Sequence, residues 1–181
     1  AQTNTNEINA PIDGFQPEAI KADLTIEKST LSFNELGLCE PIPRAITDTG
    51  YTNPTPIQAK AIPLVLNGGD LLAGAQTGTG KTAAFGLPIL SKLIELGRRP
   101  NPKTVRALIL APTRELALQV SEAFNELGKF CNVRVLAVYG GAPYSRQIMQ
   151  LQRGVDVDVR DLHRQSAPAV FPSTFAIAWL R

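Results

Sequence analysis

One short run, Ala75-Gln76-Thr77-Gly78-Thr79-Gly80-Lys81-Thr82, holds the residue types that handle phosphate, between an apolar stretch from Leu71 to Ala75 and a helix-like stretch that follows. Gly78 and Gly80 allow a tight turn that aims backbone N–H groups at phosphate oxygens. Lys81 adds a point charge for the outer phosphates, and the Thr82 hydroxyl can join the shell of an accompanying magnesium ion. The positive end of the following helix faces the same anion. Ala75 stands where the general pattern has Gly, so the run is a relaxed form of the phosphate-binding loop. A Gly-rich turn opening a helix is the plainer alternative.

The elements that must position this loop can be read from periodicity. A short helix is expected over Pro43 to Asp48, stopped by Gly50. A second runs from Pro56 to Leu66, capped by Thr55 and stopped by Asn67-Gly68. A strand over Leu71 to Ala75 leads into a helix over Lys81 to Leu96 that tolerates Pro88 and stops at Gly97. Val105 to Ala111 reads as a strand, Thr113 to Phe130 as a long helix, and Val133 to Tyr139 as a third strand. The Gly140-Gly141 turn and a helix over Ser145 to Gln152 follow. Such alternation predicts an α/β fold with a mostly parallel sheet and ligands at the carboxyl ends of its strands. Residues 1 to about 30, rich in polar residues and Pro without periodicity, read as a mobile leader.

Composition narrows the classes. With 181 residues and 44% hydrophobic content the chain can bury a core of one domain. A net charge of +2 does not by itself demand a nucleic-acid partner, and the cluster Lys92, Arg98, Arg99, Lys103 and Arg106 reads as a solvated loop. Cys39 and Cys131 match no metal spacing, and the single His163 has no partner set, so neither a zinc site nor a disulfide framework is expected. No apolar run reaches the length of a membrane span, and Ala1 to Ala10 lacks the features of a signal peptide. A cytoplasmic, monomeric protein fits, and a first residue other than Met suggests a processed form or a fragment.

Three further motifs surround the loop. Gly50-Tyr51-Thr52-Asn53-Pro54-Thr55-Pro56-Ile57-Gln58 precedes it, with Phe33 seventeen residues before the first of these. Pro112-Thr113-Arg114-Glu115-Leu116-Ala117 and Gly140-Gly141 follow. In that order the set resembles the first RecA-like domain of DEAD-box ATP-dependent RNA helicases over about residues 31–157. The resemblance implies binding of ATP with Mg2+ by residues Ala75 to Thr82, with Lys81 and Thr82 as the catalytic residues among them. It implies Gln58 as reader of the adenine edge and Phe33 packing near the base. A carboxamide supplies the donor and acceptor that the N6 and N7 edge of adenine requires. It also implies that Pro112, Thr113, Arg114, Gly140 and Gly141 hold the backbone of single-stranded or duplex RNA, which positions a strand without reading it. For Arg114 alone, a surface ion pair with Glu115 or Glu122 is the alternative.

The resemblance stops near Val157. The family continues from Gly154-Val155-Asp156-Val157 into an apolar strand and a Thr-Pro-Gly-Arg segment, whereas this chain reads Asp158-Val159-Arg160-Asp161-Leu162-His163. Several residues are missing by that comparison near Asp158, and residues 158–181 read as a divergent tail. No Asp-Glu-Ala-Asp run occurs, so ATP turnover and unwinding are not expected of these residues alone. A non-catalytic fragment that binds adenine nucleotide and RNA is the alternative to an enzyme. A metal role for Asp156 or Asp158 is not expected. The strand before the loop should keep an unpaired edge unless the tail from Ala169 to Leu180 covers it, which predicts marginal stability.

Overall fold

The computed structural model describes residues 18–21, 31–68, 70–74, 78–162 and 177–180. In chain order these form β1 (Glu18–Lys21), a 3-10 helix (Phe33–Leu36), α1 (Ile42–Asp48), α2 (Pro56–Leu66), β2 (Leu71–Gly74) and α3 (Lys81–Glu95). Then come β3 (Val105–Ala111), α4 (Arg114–Leu127), β4 (Val135–Val138), α5 (Tyr144–Gln152), β5 (Val155–Asp161) and β6 (Ile177–Leu180). Strands β4, β5 and β3 lie side by side and parallel, and β6 runs antiparallel along the other side of β3. β1 and β2 make a separate parallel pair.

The expected α/β alternation is present, and burial explains it. β5 sits between β4 and β3, and its residues from Val155 to Val159 are all buried. A strand in a parallel sheet covered on both faces must satisfy burial on both. Val157 and Val159 join Ala107, Ile109 and Ala111 of β3 in one core with Ala117, Val120 and Phe124 of α4. α3 closes on the same core through Gly86, where an added Cβ would lie 3.2 Å from the Phe124 ring. That close approach is why a residue without a side chain serves there.

Helix α2 keeps the expected bounds, and Gly68 takes the left-handed conformation (φ +85°) just past its end. α3 runs through Pro88 without interruption and ends one residue before the expected Leu96. α4 is shorter than expected. Thr113 caps it, with the hydroxyl accepting from Leu116 N at 3.2 Å, and Gly128 ends it, followed by a turn in which Cys131 N donates to Gly128 O at 2.8 Å. Phe130 extended the apolar pattern without being core: it is partly exposed and lies under the Arg44 guanidinium at 4.5 Å. β4 is trimmed to its four central residues.

Two strands near the chain ends bear on the edge of the strand before the loop. Within the stretch read as an unstructured leader, Glu18–Lys21 form β1 and supply β2 with its parallel neighbour. The tail strand Ile177–Leu180 covers β3 instead of β2. β5 also runs on through Asp158 to Asp161, past the end of the motif resemblance. His163 lies outside the described residues.

One correction concerns Arg106, read as part of a solvated loop. It belongs to β3, and its guanidinium donates to the carbonyls of Leu93 (3.2 Å) and Arg98 (2.6 Å) and to the buried carboxylate of Asp156. Among the described residues no helix is long and apolar enough to cross a membrane.

Candidate functional site

Gly78 and Gly80 both take the left-handed conformation, with φ of +84° and +83°. Gly80 is the cap from which α3 departs, so the loop delivers the chain into a fifteen-residue helix whose first turn holds Lys81 and Thr82. The amino-terminal end of that helix, with its dipole, favours an anion. Partial burial lowers the Lys81 pKa from its ordinary value. Ala75, Gln76 and Thr77 lie outside the described residues.

The loop is held from the side by the start of α2. The Thr55 hydroxyl donates to the Thr79 carbonyl at 2.9 Å, and Gln58 Nε2 donates to the Gly80 carbonyl at 3.1 Å. The other end of the same carboxamide accepts from Thr55 N at 2.9 Å, half of a capping box. The left-handed conformation of Gly80 favours glycine, and an added Cβ there would displace the Gln58 carboxamide from its bond to the loop. Gln58 is fully buried, with one donor and one acceptor committed inside the protein.

Phe33 is also buried, at 5% exposure, within the main core, and meets Tyr51 edge to face at 6.3 Å. Tyr51 is the exposed ring of the pair. Neither it nor Thr55 stood out as a site residue in the sequence, although the Thr-x-x-Gln spacing of a capping box was there to be read.

A second cluster forms at the carboxyl edge of the four-stranded sheet. Because β3 and β4 run parallel on either side of β5, Pro112, Thr113 and Arg114 after β3 and Gly140 and Gly141 after β4 emerge on the same edge. Arg114 Nη1 donates to the Gly140 carbonyl at 2.9 Å, and an added Cβ at Gly141 (φ +87°) would lie 2.9 Å from that nitrogen. Arg114 therefore pairs with a backbone carbonyl instead of Glu115 or Glu122. This leaves its positive charge uncancelled beside the amino terminus of α4.

The two conspicuous acids of β5 meet arginines, although Asp158 Oδ1 has no hydrogen-bond partner among the described residues. Asp156 meets Arg106 and accepts from Arg134 N at 2.8 Å, and Asp158 accepts from Arg160 Nε at 2.6 Å. Among the described residues no group of three metal-binding side chains exists. The donor set around Gly78 to Thr82 fits an anionic phosphate group, and Thr82 alone does not make a metal site.

Residues 55–163 match a protein-family model described as DEAD/DEAH box helicase. The chain is 51% identical over 127 residues to the ATP-dependent RNA helicase CshA of Listeria monocytogenes, covering 70% of this chain and 24% of that protein. To the ATP-dependent RNA helicase DeaD of Escherichia coli it is 49% identical over 129 residues, covering 71% of this chain and 20% of that one. The chain thus spans between a fifth and a quarter of the length of these curated relatives. In fold it is similar to a DEAD box protein from the hyperthermophile Methanococcus jannaschii, with a TM-score of 0.62 at 36% identity over 72% of this chain and 34% of that one. A helicase described as hypothetical and ATP-dependent, from Sulfolobus tokodaii, gives a TM-score of 0.55 at 39% identity over 66% of this chain and 33% of that one. The fold is RecA-like. With the α2 clamp, the glycine-rich loop and the Arg114 cluster following one another along the matched segment, the chain belongs to the DEAD/DEAH box helicase family.

Proposed function

We propose that this chain is an ATP- and RNA-binding part of an ATP-dependent RNA helicase, with residues 31–157 carrying both sites. The observation that carries the reading is the clamp of Thr55 and Gln58 on the carbonyls of Thr79 and Gly80, which shapes a phosphate cradle ahead of Lys81 and Thr82. Residues Ala75 to Thr82 hold the phosphates. When ATP is bound, Thr82 supplies a hydroxyl to the Mg2+ that accompanies it. Gln58 reads the adenine edge with the donor and lone pair its internal bonds leave over, and the Phe33 and Tyr51 pair lies beneath the base. Pro112, Thr113, Arg114, Gly140 and Gly141 hold RNA through its backbone, without reading sequence. Free Cys39 and Cys131 suit a reducing cytoplasmic setting, and the chain acts as a monomer.

One sequence fact favours a narrower second reading, binding without turnover: no Asp-Glu-Ala-Asp run is present among the 181 residues. Both readings are tested together by thermal unfolding and phosphate release. ATP at about 100 times its dissociation constant should add roughly 2.7 kcal/mol of stability, lost in Lys81→Ala. RNA-stimulated phosphate release should be absent. Clear turnover would overturn the second reading, and no ATP-dependent shift would overturn both.

A further inference from the structure

The amino edge of the four-stranded sheet, remote from Arg114 and Gly140, gathers positive charge on a braced backbone. Arg106 at the start of β3 bonds the Arg98 carbonyl, Asp156 joins Arg106 to Arg134, and Arg134 Nη1 reaches the Arg153 carbonyl at 3.4 Å. Lys103 N donates to the Gln152 carbonyl at 3.3 Å, and Val155 N to the Thr104 carbonyl at 3.1 Å. The loop before β3 and the junction between α5 and β5 are thereby tied into one surface. Its fit is tight: an added Cβ on Gly154 would collide with the Asn101 carbonyl.

Two features separate this surface from an ordinary solvated charge run. Asp156, the acid inside the network, is buried and already engaged by Arg106 and Arg134, so it does not neutralise the outer cations. Among the described residues the side chains of Arg98, Arg99, Lys103 and Arg153 meet no carboxylate, and all four residues are exposed. Lys103 is moreover held in the left-handed conformation (φ +61°), an uncommon one for a residue with a side chain. A hollow lined by Arg98, Arg99 and Arg106 together with the apolar Leu96, Pro100 and Val105 opens beside the first two of these cations.

We propose that this edge is a second RNA-binding surface, contacting the sugar-phosphate backbone through Arg98, Arg99, Lys103 and Arg153. A cluster of exposed cations on a braced backbone, with no base-sized aromatic among them, suits a polyanion read by charge. The proposal rests on the reading of RNA as the ligand of the opposite edge. Since β3 spans seven residues, the two edges stand about 20 Å apart. A long strand can engage both, whereas one of roughly six nucleotides fills a single edge.

The test is fluorescence anisotropy on the full chain with labelled oligouridine of about six and about thirty nucleotides, across a salt series. The triple variant Arg98→Glu, Arg99→Glu, Lys103→Glu should bind the long strand at least about ten-fold more weakly. Its salt slope should fall by roughly two, as expected for three lost phosphate contacts on single strands. A milder Arg98→Gln, Arg99→Gln, Lys103→Gln variant, with unchanged melting temperature, should move in the same direction. Arg114→Ala should weaken the short strand as well. Unchanged long-strand affinity and slope in both triple variants would overturn the proposal. Failure of the wild-type chain to bind the short strand, with long-strand binding still sensitive to the triple variants, would count against the Arg114 site and leave this surface standing.

Discussion

Gln58 Nε2 donates to the carbonyl of Gly80 at 3.1 Å, so a residue expected to face a base is bonded to the loop expected to hold phosphates. Gln58→Ala removes that bond and leaves the amide of Thr55 without its acceptor. We expect a loss of about 1–3 kcal/mol in unfolding free energy. Affinity should fall for inorganic tripolyphosphate and GTP as well as for ATP, with the largest loss for ATP, measured by calorimetry. If tripolyphosphate binding were untouched and only discrimination between ATP and GTP disappeared, the loop bond would have no part in binding.

The contact between Arg114 and Gly140 gives a separate prediction. Gly141→Ala forces a side chain into a left-handed position and against Arg114 Nη1. The expected stability cost is about 1 kcal/mol. RNA affinity should fall while the ATP-dependent melting shift persists. Equal loss of both would mean that the turn supports the fold at large.

Asp158 is fully buried, and its Oδ1 has no hydrogen-bond partner among the described residues. Burial raises its pKa, with the bond to Arg160 opposing the shift. A carboxyl whose folded-state pKa is raised stabilises the fold below its unfolded pKa, and that contribution is lost as pH rises through the folded value. Asp158→Asn should therefore be more stable than the parent at pH 7, by about 1–3 kcal/mol, with a smaller gain near pH 3. Urea melts at the two values decide it, and a variant less stable at pH 7 would refute the assignment.

The Cys131 thiol is pushed up to about 11, by burial first and then by the nearby Cys39. With the folded value above the unfolded one, the native state holds the proton longer. The corresponding stability is complete below about pH 9 and is lost as pH rises toward 11. Cys131→Ala should flatten this part of the stability profile. Mass spectrometry after brief iodoacetamide treatment at pH 8 should find position 131 largely unmodified, since the thiolate is the reactive form.

Arg106, half-buried, and Asp156, buried, form an ion pair across β3 and β5. Asp156→Ala strands the guanidinium and should cost about 3–5 kcal/mol. The double variant Arg106→Met with Asp156→Leu should recover part of that loss, as read by chemical denaturation. No recovery would show that Arg134 and the Arg98 carbonyl, not the pair itself, dominate the network.

Local order carried much of this into the sequence. The bounds of α2 follow from Thr55, Pro56 and Gly68, and β3 from an apolar run closed by Pro112, because caps and breakers act on their own neighbours. The place of Phe130 was not legible, since an apolar residue at helical spacing reads as core until its neighbours are known. Asp156 and Arg106 were equally opaque: fifty residues apart, each looks like a surface charge until β5 is inserted beside β3.

From its residues alone the chain determines the glycine-rich run Ala75 to Thr82, its order relative to Gln58, Arg114 and Gly140, and the family to which these belong. Those features depend on backbone freedom, charge and spacing within a few residues. Only the tertiary structure decided that β2 finds its neighbour in Glu18–Lys21, that Ile177–Leu180 covers β3, and that Gln58 is spent on Gly80. Such pairings depend on which strand edges and buried polar groups remain to be satisfied after the core has formed, and spacing along the chain does not contain that information.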